Sequence, residues 1–119
     1  MKLSEIAKIL DSKVLTGEEK LEDIDIEVVG ASDMMSDVLL IAKPGMLLIT
    51  GLNSPQVVRT ANIVGIPAVV IVRKKTVPPE TVDTAKNLEI VLLHSPIPMY
   101  VACGRLYEKK LKDVDGIVK

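Results

Sequence analysis

Aromatic side chains are almost absent from this chain. Of its 119 residues only Tyr100 and Tyr107 are aromatic, and there is no Phe or Trp. Proteins that hold single-stranded nucleic acid stack its bases on aromatic side chains within a basic groove. With two tyrosines and a formal net charge of -1, the sequence argues against nucleic-acid binding. The core is expected to consist of Leu, Ile, Val, Ala and Met.

Cysteine and histidine are also scarce, since each occurs once, as Cys103 and His94. A single cysteine excludes an intrachain disulfide and a Cys-rich zinc site, and we expect Cys103 to be a small apolar residue on a helix face. His94 and Ser95 are neighbours, but adjacency in sequence does not supply the geometry of a nucleophile and its base. We therefore expect no metal, no cofactor and no catalytic residue.

Several signatures are missing as well. The sequence contains no phosphate loop ending in Gly-Lys-Ser/Thr, no Gly-x-Gly-x-x-Gly after a strand and no Gly-x-Ser-x-Gly, which leaves nucleotide hydrolysis, dinucleotide binding and a hydrolase elbow unsupported. The sequence also contains no pair of base and nucleophile that would support a small phosphotransfer enzyme. The first ten residues do not resemble a signal peptide, and no apolar run approaches the ~18 residues of a membrane span. We expect a cytoplasmic protein without membrane contact.

Short aliphatic strands that alternate with helices are what the sequence does contain. Leu3, Ile6, Ala7 and Leu10 form one stripe of a first helix, and later apolar runs of strand length include Met46–Ile49, Ile66–Val72 and Glu89–Leu93. This alternation predicts an α/β fold with three layers, α/β/α, and a mostly parallel sheet. We expect one domain over residues 1–112 and a frayed tail over residues 113–119.

Two local expectations concern the first third of the chain. Residues 18–23 are acidic and polar, which is typical of a solvated loop, and Ile24 to Val28 alternate apolar and charged residues as a half-exposed strand does, ending at Gly30. Ser32 and Asp33 are then expected to open the second helix.

A strand that runs directly into a helix organises the middle of the sequence. After Met46–Ile49 comes Asn53-Ser54-Pro55, in which Ser54 is a helix cap and Pro55 suits the first helical position, and Gly65 ends the helix. His94-Ser95-Pro96 repeats this arrangement after a later strand. A helix that begins at the carboxyl end of a buried strand presents free N–H groups to an anion, although Ser54 alternatively only caps its helix.

In parallel sheets the ligand crevice lies at the carboxyl ends of the strands. Hydroxyls, helix starts and positive charge should converge there, which suits a phosphate or another anion. Arg73-Lys74-Lys75 is alternatively a solvated loop, and His94 an ordinary turn residue. The candidate ligand-binding residues are Thr50, Gly51, Asn53, Ser54, Arg73, Lys74, His94 and Ser95.

The second helix is apolar on more than one face from Met34 to Ile41. One face belongs to the core, and the other is covered either by a second subunit or by the loop of residues 18–23. We expect a dimer or partner surface at Met34, Met35, Val38 and Leu39.

Three segments in order carry a family resemblance: Val28-Val29-Gly30-Ala31, Lys43 to Gly51, and Gly65 to Ile71. With these and the opening Leu3 to Leu10, the chain resembles a DRTGG domain over about residues 1–107. The resemblance implies a fold similar to the N-terminal domains of HPr kinase and MurF ligases. It also implies a regulatory role with self-association, since such domains occur beside CBS domains in regulated pyrophosphatases and inside phosphotransacetylases, and no established catalysis.

The five residues that give the family its name are replaced in this chain. The Asp-Arg pair falls on Asn53 and Ser54, and Thr-Gly-Gly falls on Val72, Arg73 and Lys74. Gly-Gly lets a backbone approach a ligand closely, whereas Arg-Lys supplies side-chain charge instead.

Two functional hypotheses follow. The first is a non-catalytic regulatory module, a homodimer that senses a small anionic metabolite or nucleotide. The alternative is a ligand-free interaction subunit that docks a partner enzyme through the Met34–Ile41 surface.

Overall fold

The computed structural model describes residues 1–116. Its helices and strands alternate along the chain as the sequence predicts. In order they are α1 (Leu3–Ile9), β1 (Lys13–Thr16), a 3-10 helix (Glu18–Lys20), β2 (Val29–Ala31), α2 (Met35–Ile41), β3 (Leu47–Thr50), α3 (Pro55–Ile63), β4 (Ala68–Val72), α4 (Pro79–Asn87), β5 (Val91–Ser95) and α5 (Met99–Glu108).

The five strands form one sheet in the order β1-β5-β4-β3-β2. Strands β2 to β5 are parallel to their neighbours, and β1 alone pairs antiparallel, on the outer edge of β5. The mostly parallel sheet is therefore confirmed. Because β1 runs in the opposite direction, its amino end lies at the same edge of the sheet as the carboxyl ends of β4 and β5.

Both faces of the sheet are covered, which explains why the central strands are apolar without alternation. Every residue of β3 and β4 is buried. Alternate side chains enter two clusters: Leu47 and Val70 pack with α1 and α5 on one face, and Leu48 and Val69 pack with α2, α3 and α4 on the other. The three-layer α/β/α arrangement is confirmed.

The expected strand over Ile24–Val28 is wrong. This segment makes only two isolated bridges, Asp25 with Lys2 and Val28 with Lys112, and the strand starts at Val29, so that Gly30 lies inside it. The alternation arises because Ile26 is fully buried while its backbone exchanges hydrogen bonds with Met1, outside the main sheet. Residues 18–23 also differ from a plain loop, since they contain the 3-10 helix Glu18–Lys20.

Strand and helix boundaries differ from expectation at two further places. The fifth strand begins at Val91 rather than Glu89, because Glu89 has φ of 59° and turns the chain out of helix α4. The same strand continues through His94 and Ser95, so Ser95-Pro96 does not start a helix, and α5 begins at Met99 after the capping residue Pro98.

The start of α3 is as expected in its backbone but not in its cap. Pro55 occupies the first turn, and Ser54 is the capping residue in extended conformation, yet its side chain makes no hydrogen bond to the helix. The helix stops before Gly65, as predicted.

The described chain ends in a turn, and the frayed tail over residues 113–119 stays a prediction. The Gly116 N–H donates to the Asp113 carbonyl at 3.1 Å, and Val114 packs against the second core cluster. Residues 117–119 lie outside the described residues, and the domain boundary at residue 112 stays a prediction. None of the helices within residues 1–116 is long and apolar enough to span a membrane, and cytoplasmic location stays a prediction from the sequence.

Candidate anion-binding site

An open cleft of about 360 Å³ lies at the carboxyl edge of β4 and β5. Four cationic side chains and one carboxylate are in its lining, together with the only histidine. A cleft lined mainly by one sign of charge concentrates ions of the opposite sign. The lining residues are Asp11, Lys13, Arg73, Lys74, Lys75, His94 and Pro96.

Lys13 and Asp11 belong to this cleft, although sequence reasoning missed both. Lys13 begins β1 and lies opposite His94 in the antiparallel ladder. Asp11 lies two residues before it, with φ of 51°, and its carboxylate pairs with Arg105 at 3.0 Å. No local sequence signal marks them, because they reach the cleft through the antiparallel direction of a short edge strand, which brings its first residues to the carboxyl edge of the parallel strands.

The backbone of the basic loop, Arg73 to Lys75, is fixed by hydrogen bonds. Arg73 has φ of 55°, and its N–H donates to the carbonyls of Ser95 and Ile97, both at 3.1 Å. The Lys74 N–H donates to the Val72 carbonyl at 2.7 Å, and the Lys74 carbonyl contacts His94 Nε2. The loop is therefore an ordered turn, and the basic side chains start from defined positions at the rim of the cleft.

Beside this loop, Asp33 is the centre of a second polar group. Its Oδ1 accepts a hydrogen bond from the Gly51 N–H at 2.6 Å and from Thr50 Oγ1 at 3.3 Å, and its Oδ2 lies 3.5 Å from Arg73 Nη2. The prediction that Ser32 and Asp33 open α2 is therefore wrong, since the capping residue is Met34 and no side chain caps the helix. The Ser32 hydroxyl accepts a hydrogen bond from the Met34 N–H in the turn before it.

Gly51 is where the arginine crosses the end of β3. A Cβ placed at this position would lie 3.3 Å from both Nε and Nη2 of Arg73 and 3.1 Å from Asp33 Oδ1. The missing side chain therefore leaves room for the guanidinium and the Asp33 carboxylate to pack closely over this residue. Thr50 and Gly51 are buried and support this pair rather than line the cleft.

Asn53 and Ser54 lie outside the cleft lining. The Asn53 side chain donates from Nδ2 to the Thr76 carbonyl at 3.1 Å, and the Asn53 carbonyl accepts from the Thr81 hydroxyl at 2.6 Å. Asn53 therefore ties the basic loop and α4 to the start of α3. Ser54 is exposed.

Ser95 has a structural role, contrary to its prediction as a ligand contact. It is fully buried, and its hydroxyl donates to the Leu10 carbonyl at 2.6 Å. The Ser95 hydroxyl oxygen also accepts a hydrogen bond from the Ile97 N–H at 3.3 Å. The structure thus brings Arg73, Lys74 and His94 together in the cleft and leaves Thr50, Gly51, Asn53, Ser54 and Ser95 as its supports or neighbours.

The chemistry available in the cleft is recognition of negative charge. Ammonium and guanidinium groups donate charge-assisted hydrogen bonds to phosphate or carboxylate oxygens. Cys103 does not contribute a nucleophile here, because it lines a separate apolar cavity against β2, and burial raises the pKa of its thiol. Among residues 1–116 no three His, Cys, Asp or Glu side chains are grouped to hold a metal ion.

The predicted surface on α2 is only partly exposed. Met35 and Val38 are buried in the core, which corrects their assignment to that surface. Met34 and Leu39 are exposed, and so are Leu40, at 83 %, and Ile41. The exposed apolar face therefore consists of Met34, Leu39, Leu40 and Ile41, and the 3-10 helix region does not cover it.

The sequence profile of the DRTGG domain matches residues 5–106. This match spans most of the chain. The chain belongs to the DRTGG domain family. A comparison with proteins of curated function gives no match.

A solved structure shares the fold of this DRTGG domain. It is the crystal structure of the CBS and DRTGG domains of the regulatory region of Clostridium perfringens pyrophosphatase, complexed with its activator diadenosine tetraphosphate. The superposition has a TM-score of 0.70 at 15% sequence identity, and it covers 88% of this chain and 45% of that one. The chain thus spans less than half of the clostridial regulatory region, and the likeness is one of fold.

Proposed function

We propose that this DRTGG domain is a non-catalytic regulatory module that binds a small anionic metabolite or a nucleotide in the basic cleft. The observation that carries the proposal is the convergence of Lys13, Arg73, Lys74 and Lys75 on one cleft. These side chains come from two separate segments of the chain, which the antiparallel pairing of β1 with β5 brings together. The clostridial regulatory region, crystallised with a dinucleoside polyphosphate activator, makes nucleotides the first ligands to test.

The direct test is a thermal-shift screen of the full chain. The ligands are adenine and guanine nucleotides, diadenosine tetraphosphate, acetyl phosphate and sugar phosphates. A ligand at 100 times its dissociation constant stabilises the folded state by about 2.7 kcal/mol, which raises the melting temperature of a domain of this size by several degrees. A flat screen on well-folded protein would contradict the proposal.

A pair of matched double variants locates the binding. Lys13→Ala with Lys74→Ala removes two cleft charges, whereas Lys43→Ala with Lys86→Ala removes two lysines from the opposite edge of the sheet, before β3 and at the end of α4. Charge-assisted hydrogen bonds each contribute about 1.5–3 kcal/mol, so the first pair should weaken binding by at least about tenfold. Equal losses in the two double variants would indicate a diffuse charge effect instead of a site in the cleft.

We also propose that the domain forms a homodimer through the exposed apolar face of α2. The support is the exposure of the apolar side chains Met34, Leu39, Leu40 and Ile41 at and before this helix. Sedimentation should show a dimer at micromolar concentration, and Leu40→Lys should give a folded monomer. A monomeric wild-type chain would refute the dimer.

The alternative function, a ligand-free subunit that docks a partner enzyme, uses this same face. A flat ligand screen together with a monomeric chain would favour that alternative, and the enzyme's association should then be lost on Leu40→Lys but retained in the cleft variant.

A further inference from the structure

We propose that Asp33 is a built-in competitor for the anion that binds in the cleft, because it occupies Arg73 when the cleft is empty. This inference rests on the proposed function and concerns the regulation of the same site. Arg73 lines the cleft, and its guanidinium also lies 3.5 Å from the Asp33 carboxylate. The Arg73 guanidinium cannot form a close ion pair with Asp33 and with an anion in the cleft at the same time.

The two partners of this ion pair differ in how firmly they are held. Asp33 is fixed by the hydrogen bonds that its Oδ1 accepts from the Gly51 N–H and Thr50 Oγ1. The Arg73 backbone is fixed by its donation to the Ser95 and Ile97 carbonyls. The Arg73 side chain, in contrast, is 58% exposed, and its pair with Asp33 is long for a charged hydrogen bond. The guanidinium is therefore the part that moves.

Movement of the arginine does not require the loop to rearrange. Exposed ion pairs of this kind are weak, so a multiply charged anion in the cleft can withdraw the guanidinium from Asp33. The carboxylate keeps its two other hydrogen bonds when the arginine leaves. Asp33 thereby lowers the affinity of the cleft for every anion by the free energy of the ion pair, which sets a threshold concentration for occupancy.

The test is the affinity of the full chain for inorganic pyrophosphate and for diadenosine tetraphosphate, measured by titration calorimetry. Asp33→Asn keeps an oxygen that can accept from the Gly51 N–H but removes the charge that holds Arg73. We expect tighter binding, by up to about fivefold. Asp37→Asn removes the same charge from an exposed position on α2 and should have a smaller effect.

A double-mutant cycle separates the ion pair from the general field of the carboxylate. In the Arg73→Gln background, Asp33→Asn should no longer change the affinity. If Asp33→Asn tightens binding equally with and without Arg73, or does not tighten it in the wild-type chain, the proposal is overturned while the cleft remains a binding site. If neither probe binds the wild-type chain or Asp33→Asn, this proposal falls together with the proposed function.

A second variant tests the same contact without a change of charge. In Gly51→Ala the new Cβ would stand 3.3 Å from Arg73 Nε and Nη2 and 3.1 Å from Asp33 Oδ1, so the two side chains must shift apart by a few tenths of an ångström, which weakens the ion pair while both charges remain. Tighter binding by this variant supports the proposal even if Asp33→Asn fails to fold. Unchanged or weaker binding by folded Gly51→Ala contradicts it.

Discussion

Two serines near the cleft, each with a buried hydroxyl oxygen, should respond differently to replacement by alanine. Ser95→Ala removes a hydroxyl that donates to the Leu10 carbonyl at 2.6 Å and accepts from the Ile97 N–H. Both backbone groups would lose a partner, the first of them in the interior. An unsatisfied buried group costs about 1–3 kcal/mol, so the free energy of unfolding should fall by about 2 kcal/mol.

Ser12 is the matched control. Its hydroxyl oxygen is buried and has no hydrogen-bond partner among residues 1–116. Ser12→Ala therefore removes a desolvated polar group without stranding another, and the stability should stay the same or rise by up to about 1 kcal/mol. Both serines lie within two residues of a cleft residue, so their chemical setting is comparable.

Urea unfolding followed by circular dichroism measures both effects. With a slope of about 2 kcal/mol/M, the Ser95→Ala midpoint should drop by about 1 M, while the Ser12→Ala midpoint should not drop. Anion affinity of folded Ser95→Ala, measured well below its midpoint, should match the wild type because Ser95 does not line the cleft. A stable Ser95→Ala chain with lost anion affinity would refute the structural role assigned to Ser95.

Two further predictions concern Gly17 and Cys103. Gly17→Ala should lower stability by about 2–4 kcal/mol in a thermal melt, since φ is 78° and the new Cβ would lie 2.7 Å from Val91 Cγ2; an unchanged melting temperature would contradict this packing. Burial raises the pKa of the Cys103 thiol. The contribution of the protonated thiol to the stability of the folded state is therefore fully present below the unfolded pKa and is lost as the pH rises through the folded pKa. Alkylation by iodoacetamide at pH 8 should accordingly be slower in the folded chain than in urea, and equal rates would show that the thiol is not protected.

Much of the fold could be predicted because the sheet is buried on both faces. Runs such as Met46–Ile49 are apolar without alternation, and each is followed by a helix, which specifies parallel strands between helical layers. The prediction failed at Ile24–Val28, where alternation reflects one buried residue, Ile26, beside the amino terminus. The alternation of apolar and charged residues shows which side chains are buried, but it does not show which strand the segment pairs with.

The candidate site was predictable only where a strand end determined it. Arg73, Lys74 and His94 follow from parallel topology, and the structure places them in the cleft. Ser95 also lies at the carboxyl end of a parallel strand, but its hydroxyl donates a hydrogen bond to the Leu10 carbonyl and does not line the cleft. Lys13 could not be found without the direction of β1, since an antiparallel edge strand is fixed by long-range pairing.

The position of β1 at the sheet edge has a consequence for motion. This strand is held in the sheet by β5 alone, and edge elements open locally more readily than central ones. Each such opening would carry Lys13 away from the basic loop and dismantle the cleft. An anion bound between Lys13 and the basic loop would hold β1 in the sheet. Amide hydrogen exchange in β1 would therefore become slower as the ligand concentration rises, while exchange in the central strand β4 would change little.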